Sequence, residues 1–492
     1  MALLQWGDYR PDTSDYQGTS VHAINNVIPR GDGYGPFPSF AAYTQALPAA
    51  CRGAFYALKS DGSVLTFAAT ASKLYLLNNT NYSWTDVSKG GGTYTAPTYG
   101  SQAANWQFAQ FGSLVFATQA NTVLQVYDLS SSSAFADCGG SPPQAAYVSV
   151  VGRFLVLSGL LSQPYRIQWS GLNATTTWTS GVNSSDFQDF PDGGIVRGVA
   201  GGEYGIIFQD QAIRRMSYVP GSPLIFQIDR MTQDKGLFAP YSIIRAGEKI
   251  FFYAGQGFHK IEPGGVPEQI GREKVDRTFL ADLDRGNLQL FMGAADPRST
   301  KVYWAYRSAN GVNPANYDKV IGYDYLLDRF FPLSVAGEYL VDISQSGLTL
   351  EGLDTISSSI DAMTLSLDSY ATAVQPQIAQ FSALTHVLGF FAGAPMEATL
   401  ESAEQAAEGR RVTLRGFRPI TDATTIYGSV TYRDTQAADS IQGTEVLVNA
   451  RTGRCDMMRD ARYIRYKNRI PAGANWNYTV GVDPDVTTNG AT

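Results

Sequence analysis

Charge is scarce in this sequence. Only 16% of its 492 residues are Asp, Glu, Lys or Arg, and the formal net charge is −7. A general nucleic-acid binder neutralises phosphates with surplus Lys and Arg, so that class is excluded, whereas a surface that nucleic acid slides past is not. Cysteine and histidine are scarcer still. Cys51, Cys138 and Cys455 stand far apart without CxxC spacing, which indicates neither a disulfide framework nor a zinc site and fits folding in a reducing cytoplasm. His22, His259 and His386 each stand alone in apolar or turn contexts. No HExxH, GxSxG or GxxxxGK[ST] string occurs, so no zincin, hydrolase elbow or P-loop is marked, although a dispersed Ser–His–Asp site stays open.

Long hydrophobic runs are also missing. Nothing approaches 18 uninterrupted apolar residues, and MALLQWGDYRPDTSD has neither a basic n-region nor an apolar h-region. The expectation is a chain with no secretion signal, no membrane span and no cofactor. Tandem carboxylates are thin as well. The densest acidic loop, SSDFQDFPDGG, holds Asp186, Asp189 and Asp192 without the spacing of a calcium loop, and a solvated loop competes with calcium binding there.

What is plentiful is glycine (49), proline (23) and aromatics (12%), a balance expected of many short strands joined by turns. The stretch GEKIFFYAGQGFHKIE, from Gly247, shows the unit: an apolar strand, a glycine-bearing turn and a second strand. The same layout begins at Gly62, Gly112, Gly152, Gly202 and Thr300, at separations of 50, 40, 50, 45 and 53 residues. That is the period of four-stranded propeller blades, each hairpin supplying the two middle strands. Six units predict an all-β, six-bladed β-propeller, with unrelated hairpins in two sandwiches as the alternative.

The flanks differ. Residues 1–50 read as an irregular extended contact segment, 51–345 as the propeller and 346–382 as a Ser/Leu/Asp-rich connector. Alternating runs over 383–492 read as a C-terminal antiparallel β domain. Between Arg410 and Arg469 there are twelve basic residues against six acids. In ARYIRYKNR the cations alternate with aromatics, so one strand face is basic. Arg411, Arg415, Arg459, Arg462, Arg465, Lys467 and Arg469 are therefore DNA-facing candidates, against the alternatives of a solvated face or inter-subunit salt bridges. Trp6, Tyr9, Arg10 and Tyr34 are candidates for subunit contact, since aromatics and Arg anchor interfaces, with ordinary intrachain packing as the alternative.

The order of several motifs resembles one family. These are WGDYRPD with NNVIPRGDGYGPFPSF, LTFAATASKLYLLN with WTDVS, ANWQFAQFGSLVFATQ, YRIQWSGLNATTTW, GGEYGIIFQDQAIRRMSYV, IGREKVDRTF, and RYIRYKNRIPAGANW followed by GVDPDV. In this order, over nearly the whole chain, they resemble the tail nozzle proteins of short-tailed bacteriophages, also described as tubular tail or packaged-DNA stabilisation proteins. The resemblance implies a non-enzymatic virion protein, assembled in the host cytoplasm and located in the tail. It implies a homo-hexamer docked beneath a dodecameric head-to-tail adaptor, in contact with tail fibre, spike or needle proteins. Its lumen would hold packaged double-stranded DNA and conduct it outward. The rival class is a carbohydrate-binding or glycan-cleaving propeller, favoured by Trp84, Trp169 and Trp178 in loop-rich contexts.

Overall fold

The computed structural model describes residues 3–16, 18–99, 102–222, 224–344, 359, 376–406 and 410–489. The connector expected over 346–382 lies outside the described residues except for 359 and 376–382.

The chain is all-β and builds a propeller from small antiparallel sheets. In the blade that contains GEKIFFYAGQGFHKIE, the strands Ile244–Ala246, Lys249–Tyr253, Phe258–Ile261 and Glu268–Gln269 pair in sequence order. The first two are joined across Gly247 and Glu248, and Gly247 takes a φ of 62° that few other residues tolerate. The second strand of such a blade is buried on both faces, because a neighbouring blade covers each side. Gly205–Gln209 and Phe154–Leu160 follow the same rule. This is why the sequence shows continuous apolar runs such as GIIFQ and FLVLSGL, not strict alternation. All six hairpins are the middle strands of blades over 51–86, 107–137, 145–189, 196–232, 244–269 and 292–333.

The ring has seven blades, not the six that the spaced hairpins predict. The seventh takes Gly337–Ser344, Pro376–Ser382 and Val387–Pro395 from one end of the chain and its outermost strand, Pro38–Ala46, from the other. Two features hid it: 31 residues separate its first and second strands, and its fourth strand precedes blade one in sequence. Residues 38–46 are thus a blade strand and not a free contact arm, and 383–395 belong to the propeller and not to the C-terminal domain. The closure is tight. Gly389 faces Ala42, and a Cβ there would meet Ala41 O at 2.2 Å and the Phe40 ring at 2.5 Å.

The second body is two facing sheets built from both termini. One sheet orders Val27–Arg30, Gly33–Pro36, Thr479–Thr488, Val412–Thr421 and Cys455–Ala461, with Leu4–Gln5 on Thr479–Thr488. The other orders Val21–Asn25, Ala398–Ser402, Tyr463–Ile470, Tyr427–Arg433 and Ile441–Gln442. Phe417 and Tyr466 meet between the sheets, edge to face at 5.4 Å. Their core runs without a break into blades six and seven through Tyr303, Phe331 and Leu340. The propeller and the two-sheet domain therefore share one interior.

Gly389→Ala is expected to prise Pro38–Ala46 from blade seven at a cost of about 1–3 kcal/mol. Hydrogen exchange should then show faster exchange over 38–46 and 387–395 before any other blade opens. Unchanged protection there would contradict closure through this strand.

Candidate functional site

Two motifs more than 250 residues apart meet on the rim of blades five and six. Within WGDYRPD, the Asp12 carboxylate accepts from Arg277 N at 2.7 Å, Thr278 N at 2.8 Å and Thr278 Oγ1 at 2.7 Å. These groups open the short helix Asp276–Asp282, which follows IGREKV and has no side-chain cap of its own. Asp12 thus caps it from a distant part of the chain, satisfying N–H groups that helix starts leave unpaired. Asp12 O also accepts from Arg277 Nη2 at 2.8 Å, and Asp12 N donates to Lys274 O at 3.1 Å. Asp8 pairs with Arg329 of blade six at 2.6 Å.

This arrangement reassigns the expected subunit-contact residues. Trp6 is buried and donates through Nε1 to Thr479 Oγ1 at 3.0 Å; Tyr34 is buried and donates to Gly7 O at 2.7 Å. Both are interior residues of a single chain and have no surface to offer a neighbour. Tyr9 is half-buried, its hydroxyl pushed up to about 12 chiefly by burial. Arg10 remains exposed and pairs with Asp8 at 2.9 Å.

Beneath Asp12, the Asp276 carboxyl lies between glycine backbones. A Cβ on Gly257 or Gly271 would come within 2.1 or 1.9 Å of its oxygens. It accepts from Phe258 N at 3.0 Å and Gln269 Nε2 at 2.8 Å. Burial outweighs these bonds and pushes the carboxyl up to about 6.

The basic segment has the alternation its sequence predicts. Along Tyr463–Ile470, Arg465, Lys467 and Arg469 share a half-exposed face, while Ile464, Tyr466, Asn468 and Ile470 point inward. The charge is largely cancelled, by acids that distant segments bring to the sheet. Arg465 lies 3.0 Å from Asp15 and 3.9 Å from Glu404. Arg469 pairs with Glu445 at 2.8 Å and Glu397 at 3.1 Å and covers the Tyr427 ring. Buried Glu404 receives Arg433 bidentately, with both bonds at 2.7 Å.

On the other sheet, Arg411 pairs with Asp434 and Asp460, and Arg459 lies over Tyr432. Arg462 stands between Cys455–Ala461 and Tyr463–Ile470, half-buried. Of the seven DNA-facing candidates, Arg415, Arg459 and Lys467 form no ion pair among the described residues, and Arg415 is exposed.

The sparse catalytic residue types are used structurally. His259 is buried, stacks on Phe252 and donates through Nδ1 to Gly257 O at 2.9 Å. His22 pairs with Asp15 at 2.8 Å. His386 lies 2.5 Å from Glu338, whose other oxygen accepts from Cys51 N at 3.0 Å. Cys51 meets Glu338 there through its backbone alone; burial drives its thiol far up and its Sγ is turned to Gly53 O, so no thiolate forms near neutrality. Burial likewise pushes Cys138 up to about 11 and Cys455 up to about 12.

In the acidic loop, Asp189 pairs with Arg166, Asp192 with Arg214 and Arg230, and Asp186 accepts from Ser180. Three or more metal-ligating side chains converge nowhere among the described residues. Trp169 and Trp178 are buried, and Trp84 is half-buried, tilted against Phe381 and donating to Gln45 O.

One cavity stands out, and sequence periodicity alone gives no sign of what lines it. The first strands of six blades and the turn that precedes blade five's first strand surround about 460 Å³, walled by Tyr56, Phe108, Tyr147, Tyr241 and Tyr339 with Asp342 among them. Where the first strands begin, Asn105 Nδ2 donates to Gln289 O at 2.8 Å, tying blade two to blade six across the ring.

No protein-family model matches the chain, and no curated protein matches its sequence. Among solved structures, it is similar to the extracellular domain of the putative one component system BT4673 from B. thetaiotaomicron. The identity is 11% and the TM-score 0.36, covering 86% of this chain and 47% of that one. The chain spans about half the length of that domain, and a likeness so distant assigns neither fold nor function.

Two outcomes follow from these pairings. Arg433→Met leaves Glu404 buried without its bidentate partner and is expected to cost about 3–5 kcal/mol in denaturant unfolding, whereas Lys467→Gln stays within about 0.5 kcal/mol. Equal effects would show that Glu404 is satisfied elsewhere. Asp276 holds its proton more tightly folded than unfolded, so its contribution to stability is complete below pH 4 and is lost as pH rises to about 6. Asp276→Asn should flatten that part of the stability–pH curve; an unaltered curve would place the proton elsewhere.

Proposed function

We propose that this chain is a structural virion protein, the nozzle subunit of a short phage tail, and that its copies assemble into a hexameric ring. The single observation that carries the reading is the convergence of WGDYRPD and IGREKVDRTF on one contact. The motifs on which the resemblance rests are joined in space through Asp12 and the Asp276–Asp282 helix. They fasten the two-sheet domain to the propeller rim, and the shared core makes one rigid subunit of two bodies. A ring that contains pressurised DNA needs such subunits, since a hinge between bodies would let the conduit widen.

Any duplex path lies between copies. The propeller's own channel is crossed by the bond from Asn105 to Gln289 and narrowed to a cavity walled by aromatic residues. Within the basic sheets, Arg415, Arg459 and Lys467 are the cations that face phosphates in this reading, because Arg465, Arg469 and Arg411 are already neutralised. The remaining partners are an adaptor ring above and fibre, spike or needle proteins below. None of the described helices is long and apolar enough to cross a membrane.

Single-particle electron microscopy of the purified chain, with mass measured in parallel, is expected to show sixfold rings of about six times the 53.3 kDa chain mass, with an open axial passage. Adding purified adaptor rings should raise the ring fraction if the free chain assembles poorly. Monomers that persist at high concentration and with the adaptor present would overturn the nozzle assignment.

A further inference from the structure

Asp342 stands on the first strand of blade seven, in the wall of the propeller cavity. The same strand carries Glu338, whose two oxygens are met by Cys51 N and His386. Buried Glu404 has Arg433, and buried Asp324 has Thr300 and Lys301. Asp342 has none of this. Among the described residues no cation and no side-chain donor reaches it, and the groups that act on it are its own backbone N–H and the neighbouring carboxylate of Asp296. Burial, and then Asp296, hold its carboxyl above the usual carboxylate range. Asp342 is half-exposed to that cavity, so its carboxylate faces open space with no counter-charge beside it among the described residues.

The cavity indicates the kind of counter-charge. A hard metal ion takes six or more oxygens in a tight shell. Here Asp296, the carboxylate that acts on Asp342, is engaged by Ser299 and Arg298, and no cluster of three ligands forms among the described residues. What surrounds Asp342 is room and rings. About 460 Å³ suits an organic molecule of several heavy atoms, not a bare ion. Tyr56, Tyr147, Tyr241 and Tyr339 present ring surfaces that attract a cation while they pack against its methylenes.

We propose that the central cavity of the propeller binds a small organic cation, a primary alkylammonium, with Asp342 as its counter-ion and the tyrosine rings as its walls. The carboxylate accepts hydrogen bonds from the ammonium group, and the alkyl chain lies along the rings. Nothing in this site depends on whether copies of the chain associate.

Calorimetry at pH 8 on the full chain tests it with putrescine, with 1,4-butanediol as the neutral molecule of equal length, and with magnesium chloride. Putrescine is expected to bind at least about tenfold more tightly than the diol, and magnesium to give no saturable heat. Asp342→Asn should lose at least about tenfold in putrescine affinity while the melting temperature of the free protein rises or holds, because an uncompensated charge has gone. Asp296→Asn should keep affinity within about threefold, which separates a specific counter-ion from general acidity. Equal binding of diamine and diol, undiminished binding by Asp342→Asn, equal losses in both variants, or saturable magnesium binding without diamine binding would each overturn the assignment.

Discussion

A strand buried on both faces is stable only when a blade stands on each side of it, so a propeller chain has to bring its two ends together. Here the joining contact is the pairing of Pro38–Ala46 with Val387–Pro395. Each blade adds one apolar interface, and the last interface, between blades seven and one, exists only once that outer strand is seated. Its core holds Ala54, Ala68 and Tyr75 of blade one against Ile343, Phe381 and Phe390 of blade seven. Glu338 reinforces the seam by reaching from blade seven to the Cys51 backbone of blade one. Without that seat, residues such as Phe381 and Phe390 would meet water.

The same stretch of chain ties the second body to the first. Residues immediately before Pro38 form strands in the two-sheet domain, and residues immediately after Pro395 return to it at Ala398. The domain is thus fed by two chain segments that leave the propeller side by side. Its interior continues into blades six and seven, and Asp8 and Asp12 add polar anchors on the rim. Folding of either body is expected to be coupled to the other, because the termini that complete the sheets are also those that close the ring.

How much of this was legible follows from which signals are local. The six hairpins could be read because turn glycines and doubly buried second strands are written within about twenty residues each. Blade seven could not, since its strands are separated by an insertion and by nearly the whole length of the chain. The alternation of Arg465, Lys467 and Arg469 was equally local and is present as read. Its neutralisation was not: Asp15, Glu397 and Glu404 arrive from other strands and loops, and nothing in ARYIRYKNR announces them. Trp169 and Trp178 looked exposed in their polar surroundings, yet those loops fold over them through bonds to Ser184 O and Thr175 O. The cavity around Asp342 draws strands from six blades and a turn from blade five, so no window of sequence contains it.

The strand Gly337–Ser344 shows what separates a structural acid from one left available for binding. Glu338 and Asp342 lie four residues apart on one strand, Glu338 at the bulge where the pairing with Pro376–Ser382 shifts by one residue. The difference lies in what the next blade offers. At Glu338 the chain supplies a backbone N–H from blade one and an imidazole from its own hairpin, which together satisfy both oxygens. At Asp342 the surroundings supply another carboxylate and open space. Replacing Glu338 would strand a buried N–H and weaken the ring, whereas replacing Asp342 removes a charge that nothing among the described residues balances. An acid set in the wall of an open cavity, with no partner among the described residues, is better explained by a ligand than by packing.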